Sequence, residues 1–482
     1  MLAHLRDFYE PMIANELYAH LFTVAGFILA FIMVAKLMSE RRAPANTFAW
    51  LLVIVFVPFV GVPLYLILGG RKLRRLAENK AAVCPVLPGA HPGPSPSACL
   101  PVATTIAAAG ACPPVGGNSL TLLTTGEAEF AALEAHIRAA KHTIHITTFI
   151  LSRDPVGQRI VDLLAERARA GVKVRLLLDA VGSLLSSRGF VDPIRRAGGE
   201  VGRFMPVMFF TSRGSANLRN HRKIAVFDHT SAILGGRNIA KEYMGPLSSR
   251  KPWRDFGTLI EGPAATLLNE IFIEDWCFAT RQPPERLRSE LPPDILRSVG
   301  DCELQVVASG PDVRGDPLYE GILSMIQEAE ESVTIITPYF IPDDVLLRSL
   351  IVKARAGKQV TLVVPAQSNH PITDYARRYY TRQLMAAGAH VKLYGPGMLH
   401  AKAVIVDSKI ALYGSPNFDL RSLFVNFEVG VFVHSTRDVQ AMAAWAQDIL
   451  RSCRDPVLDQ DTKHHVVRSI AEELSRLMAP LL

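Results

Sequence analysis

Charge is scarce in this sequence. Of 482 residues, 20% are charged and 49% hydrophobic, against roughly 25% charged in a typical soluble domain. The mean hydropathy is positive, +0.19. That balance excludes a disordered or low-complexity chain and argues against a purely soluble one. Cysteine is scarce too, with six residues and no CxxC or Cys/His zinc spacing. This excludes a disulfide-scaffolded miniprotein and speaks against structural zinc. Few, unpatterned cysteines suit a reducing compartment. No obvious metal cluster exists, and no cofactor is implied. The excess of 52 Lys+Arg over 45 Asp+Glu is only +7. Long apolar runs are missing after residue 70, which excludes a polytopic transporter.

Before residue 70 the picture reverses. Leu17 to Ala35 is 19 residues without a formal charge, and Thr47 to Leu68 is 22. A spanning helix needs about 20, so residues 1–75 are expected to form a membrane helical hairpin rather than a cleaved signal peptide. A buried core hairpin is the competing reading. Pro58, Gly61 and Pro63 predict a bend or re-entry in the second segment. Trp50 and Tyr65 stand near its ends, where interfacial aromatics belong. The basic cluster Arg71, Lys72, Arg74, Arg75 and Lys80 predicts a cytoplasmic main body, with Arg41 and Arg42 in the loop as the opposing signal. Residues 1–83 carry 9 basic and 5 acidic side chains, net +4, leaving +3 for the rest. That remainder gives no argument for nucleic acid. Residues 76–118, rich in Pro, Gly, Ala and Ser, read as a flexible linker holding Cys84, Cys99 and Cys112.

From Asn118 onward the chain repeats itself. TIHITTFIL (143–151) and VKVRLLLD (172–179) are echoed by VTIITPYFI (333–341) and KQVTLVVP (358–365), each pair separated by a helical pattern ending in ARAG. Strand, helix and strand in this order predict βαβ units, hence an α/β fold with mostly parallel sheets flanked by helices. Two duplicated domains are expected, at 119–295 and 296–482. A stronger echo follows. NHRKIAVFD with LGGRN returns as LHAKAVIVD with YGSPN, and His221/His400, Lys223/Lys402, Asp228/Asp407, Gly235/Gly414 and Asn238/Asn417 are each 179 apart.

In H-x-K the histidine and lysine share one face of a strand. An imidazole and an ammonium on one face approach the same anion, the lysine supplying charge to a phosphate oxygen. Asn238 and Asn417 add amide donors. Histidine serves as nucleophile or as acid and base near neutral pH, and two copies provide one for each side of a phosphorus centre. A lone HxK is usually a solvated strand start; two registered copies are not. Asp228 and Asp407 complete the motif and count with its catalytic residues, although their far-end spacing suits a structural role. Ser415 offers a hydroxyl where the first half has Gly236.

The paired H-x-K-x4-D…G-[GS]-x-N motifs resemble the phospholipase D superfamily. GGRNIAKEYMG (235–245), WRDF (253–256), TPYFIPDD (337–344) and the amino-terminal hairpin are similar to bacterial cardiolipin synthases of that type. The resemblance implies a metal-independent site between the two domains. It implies His221 as nucleophile on the phosphodiester of phosphatidylglycerol, and His400 as acid and then base. Lys223, Lys402, Asn238 and Asn417 would hold the phosphoryl oxygens, and cardiolipin and glycerol would be the products. Glu428 and Asp255 fit the acidic partners of the histidines, against readings as an edge-strand glutamate and a turn aspartate. The implied partners are phospholipids and a bilayer, with no nucleic acid; the oligomeric state is left open.

Two further segments have two readings each. FMPVMFF (204–210) is a membrane-facing loop or a core strand. Val467, Ile470, Leu474 and Leu477 mark a helical face packed on the body or set on a bilayer. A membrane-tethered phospholipase D or nuclease would share the motifs and differ in the acceptor. A non-catalytic scaffold is disfavoured by the intact histidines.

Overall fold

The computed structural model describes residues 24–35, 44–65, 96–186, 189–205, 218–245, 252–290, 297–313 and 315–456. The chain divides into two compact units, one of residues 1–74 with 215–217, the other holding the remainder.

In the first unit residues 24–35 are helical, followed by helices Pro44–Phe56 and Pro58–Leu64. The break falls where the proline-rich sequence predicts it. Val57 leaves helical geometry at φ −138° and ψ 63°, and Pro58 opens the next helix, where its missing N–H costs nothing. No helix among the described residues is long and apolar enough to cross a membrane. Gly61 is needed at this bend: a Cβ there would meet the Val53 carbonyl oxygen at 2.5 Å. Phe27, Phe31 and Phe56 are 67%, 77% and 76% exposed. Such apolar exposure marks a surface for lipid or another protein.

The second unit is built on β1 (Val115–Leu123), β2 (Thr143–Thr148), β3 (Lys173–Asp179), β4 (Glu200–Phe204), β5 (Ile224–Phe227), β6 (Ser231–Gly235) and β7 (Gly257–Glu261), then β8 (Cys302–Ser309), β9 (Ser332–Ile336), β10 (Phe340–Ile341), β11 (Gln359–Pro365), β12 (His390–Tyr394), β13 (Ala403–Val406), β14 (Ile410–Gly414), β15 (Phe418–Asp419), β16 (Glu428–Val433) and β17 (Cys453–Arg454). Fifteen of these form one sheet, ordered β17-β12-β11-β9-β13-β14-β16-β8-β1-β7-β6-β5-β2-β3-β4. Outward from the central β8–β1 pair, β16-β14-β13-β9-β11-β12 mirrors β7-β6-β5-β2-β3-β4, so the sequence repeat is also a repeat of topology.

The sheet is mixed, not mostly parallel as the βαβ reading expects. The predicted crossovers do give parallel pairs, β2–β3, β3–β4, β9–β11 and β11–β12. The motif strands β5 and β13, however, form antiparallel hairpins with β6 and β14 and lie antiparallel to β2 and β9. A turn of a few residues cannot return a chain to a parallel neighbour. The turns place Asp228 and His229, and Asp407 and Ser408, at φ between 47° and 63°, a left-handed conformation that Asp, like Asn, tolerates better than most non-glycine residues.

Helices form where their caps predict. Asp154 accepts from the Gly157 N–H at the start of helix Pro155–Arg169, whose buried face includes Ile160, Val161 and Leu164. The segment expected as a linker is structured from Pro96, with helix Pro101–Ala108 burying Val102, Ala103 and Ile106. Its part before residue 96 lies outside the described residues. Cys112 is disulfide-bonded, while Cys99, Cys277, Cys302 and Cys453 are free. Of FMPVMFF, Phe204 ends β4 and is fully buried beside buried Met205; the rest lies outside the described residues, as does the carboxyl-terminal apolar face.

One hydrophobic cluster joins the two halves of the sheet, including Ile224, Val226 and Leu234 with Ile405, Tyr413 and Val431. The long helix Pro263–Thr280 is buried along most of its length. At the centre, the Asn118 amide donates to the carbonyls of Val115 and Cys302, and its oxygen accepts from Ala264 N–H. These bonds tie β1 to β8 and to that helix.

Candidate active site

His221 and Lys223 lead into β5, and His400 and Lys402 lead into β13. Each histidine is held by the opposite half. The His221 N–H donates to the Phe427 carbonyl, and the His400 N–H to the Arg254 carbonyl. The residue following each of those carbonyls is acidic. Glu428 opens β16 and accepts from Nδ1 of His221 at 3.0 Å, while Asp255 accepts from Nδ1 of His400 at 2.6 Å. The two acids are thus exchanged between the halves. A carboxylate accepts only, so both imidazoles carry their proton on Nδ1 and present Nε2 as a lone pair, the arrangement a triad uses.

Gly236 and Ser415, the asymmetric positions of the repeat, explain themselves here. A Cβ on Gly236 would lie 2.5 Å from Asp255 Oδ1, so the short aspartate occupies the space of the missing side chain. Glu428 is longer and accepts from the Ser415 hydroxyl, which in turn accepts from Val429 N–H at 3.0 Å. Asp255 is instead braced by Phe256 N–H at 2.7 Å.

Both lysines are buried and donate to the carbonyl of their own motif histidine. Lys402 Nζ also lies 2.7 Å from Nδ1 and 3.1 Å from Nε2 of His400. Burial, opposed by Glu428 and aided by the charge of Lys402, pushes Lys223 down to about 7; burial pushes Lys402 down to about 8. Burial and the adjacent Lys402 charge hold His400 down to about 3, and burial lowers His221 as well despite Glu428. The carboxylates are lowered too, which for an acid favours the charged form. Burial alone would raise them, but Lys402 and His400 outweigh it at Asp255, and His221 and Lys223 outweigh it at Glu428. The free site therefore holds neutral histidines, charged carboxylates and lysines poised near neutrality, ready for an anion.

The remaining predicted residues divide. Asn238 Oδ1 accepts from Ile150 N–H at 3.1 Å beside the site. Asn417 is buried, with its carbonyl oxygen lacking a hydrogen-bond partner. Asp228 and Asp407, expected with the catalytic residues of the motif, stand apart from the histidines. They stand at the far ends of β5 and β13, five residues beyond the lysines, roughly 17 Å of extended chain. There Asp228 accepts from the N–H groups of Lys141, His142 and Thr143, and Asp407 from those of Glu330, Glu331 and Ser332. Both close the turn between a helix and the next strand.

Aromatic walls are the part sequence reasoning did not single out. Phe149 lies edge-on to His221 at 5.1 Å and beneath Lys223 Nζ at 5.6 Å. Tyr243 and Trp253 pack against His400 at 5.1 and 5.3 Å. Their only signal was position inside the segments EYMG and WRDF.

Comparison with known proteins agrees with this geometry. The family described as "Cardiolipin synthase, PLD-like domain" matches residues 133–276 and 322–450, and "Phospholipase_D-nuclease N-terminal" matches 26–70. A cardiolipin synthase of Geobacillus kaustophilus is 35% identical over 469 residues, covering 94% of this chain and 92% of that protein. Cardiolipin synthase 1 of Bacillus anthracis is 32% identical, covering 98% and 96%. The crystal structure of the phosphatidylserine synthase of Haemophilus influenzae superposes with a TM-score of 0.57 at 16% identity, over 75% of this chain and 94% of that one, a likeness of fold. The chain belongs to the cardiolipin synthase family of phospholipase D-like proteins.

Proposed function

We propose that this protein is a cardiolipin synthase, transferring a phosphatidyl group from one phosphatidylglycerol to another with release of glycerol. The observation that carries the reading is the pair of motif histidines, each oriented by a carboxylate from the other half, in a chain matched along nearly its whole length by cardiolipin synthases.

Nε2 of His221 attacks phosphorus, a P–N bond forms, and the P–O bond to glycerol breaks. His400, which takes up a solvent proton on Nε2 as the anion binds, delivers that proton to the glycerol oxygen. The phosphodiester anion entering beside two buried lysines offsets their charge and raises the proton affinity of both histidines. His400 then takes the proton from a hydroxyl of the second phosphatidylglycerol, whose oxygen attacks phosphorus and expels His221. Two displacements replace one difficult step. Lys223, Lys402, Asn238 and Asn417 stabilise the charge on the phosphoryl oxygens.

The exposed apolar surface of the amino-terminal unit supports association with a bacterial membrane. The basic cluster at residues 71–80 supports a catalytic body on the cytoplasmic side.

The test is to incubate the full-length protein with phosphatidylglycerol vesicles and quantify lipids and glycerol. Cardiolipin and glycerol in equal amounts are expected. Phosphatidic acid with glycerol and no cardiolipin would make the protein a hydrolase.

A further inference from the structure

We infer that two buried arginines, Arg222 and Arg237, are positioning residues of the reaction, each gripping the backbone carbonyl of the acid that orients one histidine. Arg222 lies between His221 and Lys223 in the motif but points away from the anion site. It is fully buried. Its Nε donates to the Glu428 carbonyl at 2.9 Å, Nη1 to Asp275 at 2.6 Å, and Nη2 to the Ser309 carbonyl at 3.0 Å. Asn220 donates to the second oxygen of Asp275 at 3.0 Å and accepts from the Arg222 N–H. Arg237 is 3% exposed. It donates to the Asp255 carbonyl, to Glu129 and, at 3.0 Å, to the Leu123 carbonyl.

The two clamps share one plan. A guanidinium holds the carbonyl of the acid residue, and a second buried carboxylate anchors the guanidinium. Buried ion pairs are rarely needed for stability, since apolar side chains of similar volume do as well or better. A planar fork with fixed donor directions is, however, a precise way to aim a backbone. The repeat strengthens the assignment. The positions 179 residues on are Ala401 and Pro416, so both clamps come from the first half. The one on Glu428 crosses the sheet and couples the register of the halves to the aim of the His221 acid.

This inference rests on the phosphatidyl transfer proposed above for its assay. Full-length Arg222→Lys and Arg237→Lys are compared with the paired exchange Arg222→Met with Asp275→Leu, by steady-state kinetics on phosphatidylglycerol in mixed micelles and by thermal melting. Displacement by about an ångström costs on the order of 10²-fold in rate. Each Arg→Lys variant is expected to lose about 10- to 100-fold in kcat, with KM within about threefold. The paired exchange is expected to recover the melting temperature and not kcat. Recovery of kcat together with stability, or lysine variants that keep half the wild-type kcat, would overturn the inference. Should the paired exchange not fold, the lysine variants decide alone. The rates are ratios to whatever phosphodiester cleavage the wild type performs, so a wild type that only hydrolyses defeats the transfer reading and still tests the clamps.

Discussion

Nδ1 of His221 lies 3.0 Å from Oε1 of Glu428, a residue 207 positions away in the other half of the chain. His400 and Asp255 repeat the exchange at 145 positions. Neither half alone contains a complete histidine–carboxylate pair, so the duplication works as one site. Glu428→Gln and Asp255→Asn keep shape and remove the charge that fixes the tautomer. Each is expected to lower kcat by about 10²- to 10⁴-fold with the melting temperature little changed. Ser415→Ala, which leaves the His221 bond to Glu428 in place, should cost only about tenfold. A loss in Ser415→Ala equal to that in Glu428→Gln would contradict this division of roles.

The lysines set the alkaline behaviour. With Lys223 at about 7 and Lys402 at about 8, the free enzyme loses cationic charge as pH rises through that interval, and kcat/KM should fall there with two apparent values belonging to the pair. Stability runs the other way. A lysine whose folded pKa lies below its unfolded value of about 10.4 is penalised while charged, so its contribution improves from about pH 7 up to that value. Lys223→Met should raise the melting temperature more at pH 6 than at pH 10; an equal effect at both would show that burial does not govern Lys223.

The motif aspartates are expected to separate stability from catalysis. Asp228→Ala and Asp407→Ala each strand three backbone N–H groups at a turn, costing roughly 1–3 kcal/mol, while kcat of the folded fraction stays within about threefold. Denaturant unfolding and active-site titration of the same samples measure both. A kcat loss comparable to that of a histidine variant would put these carboxylates in the chemistry.

Much of this was legible in the sequence. The 179-residue register named the histidines, lysines and asparagines, because identical residues on matching strands must meet equivalent environments. The two acids came from the resemblance. Their exchange between halves was not legible, since spacing along the chain carries no information about which half folds against which. The βαβ units at β2–β3 and β9–β11 are real, but the short turns at Asp228 and Asp407 force the motif strands antiparallel and make the sheet mixed. Arg222 and Arg237 break the repeat, with Ala401 and Pro416 opposite, so the register does not mark them and only the mismatch does.

The amino-terminal unit should govern lipid contact. Phe27→Lys with Phe31→Lys places charge on its exposed apolar face. Sedimentation with phosphatidylglycerol vesicles is expected to fall by at least tenfold, while turnover in detergent micelles stays within about threefold. Undiminished vesicle binding would assign that face to something other than lipid.

Covalent trapping tests the central claim most directly. Full-length His400→Ala, given phosphatidylglycerol labelled in its phosphate and quenched with alkali, is expected to accumulate label on His221, and His221→Ala to carry none. Label on His400 in the His221→Ala protein, with none on His221 in the His400→Ala protein, would contradict the account and exchange the two roles.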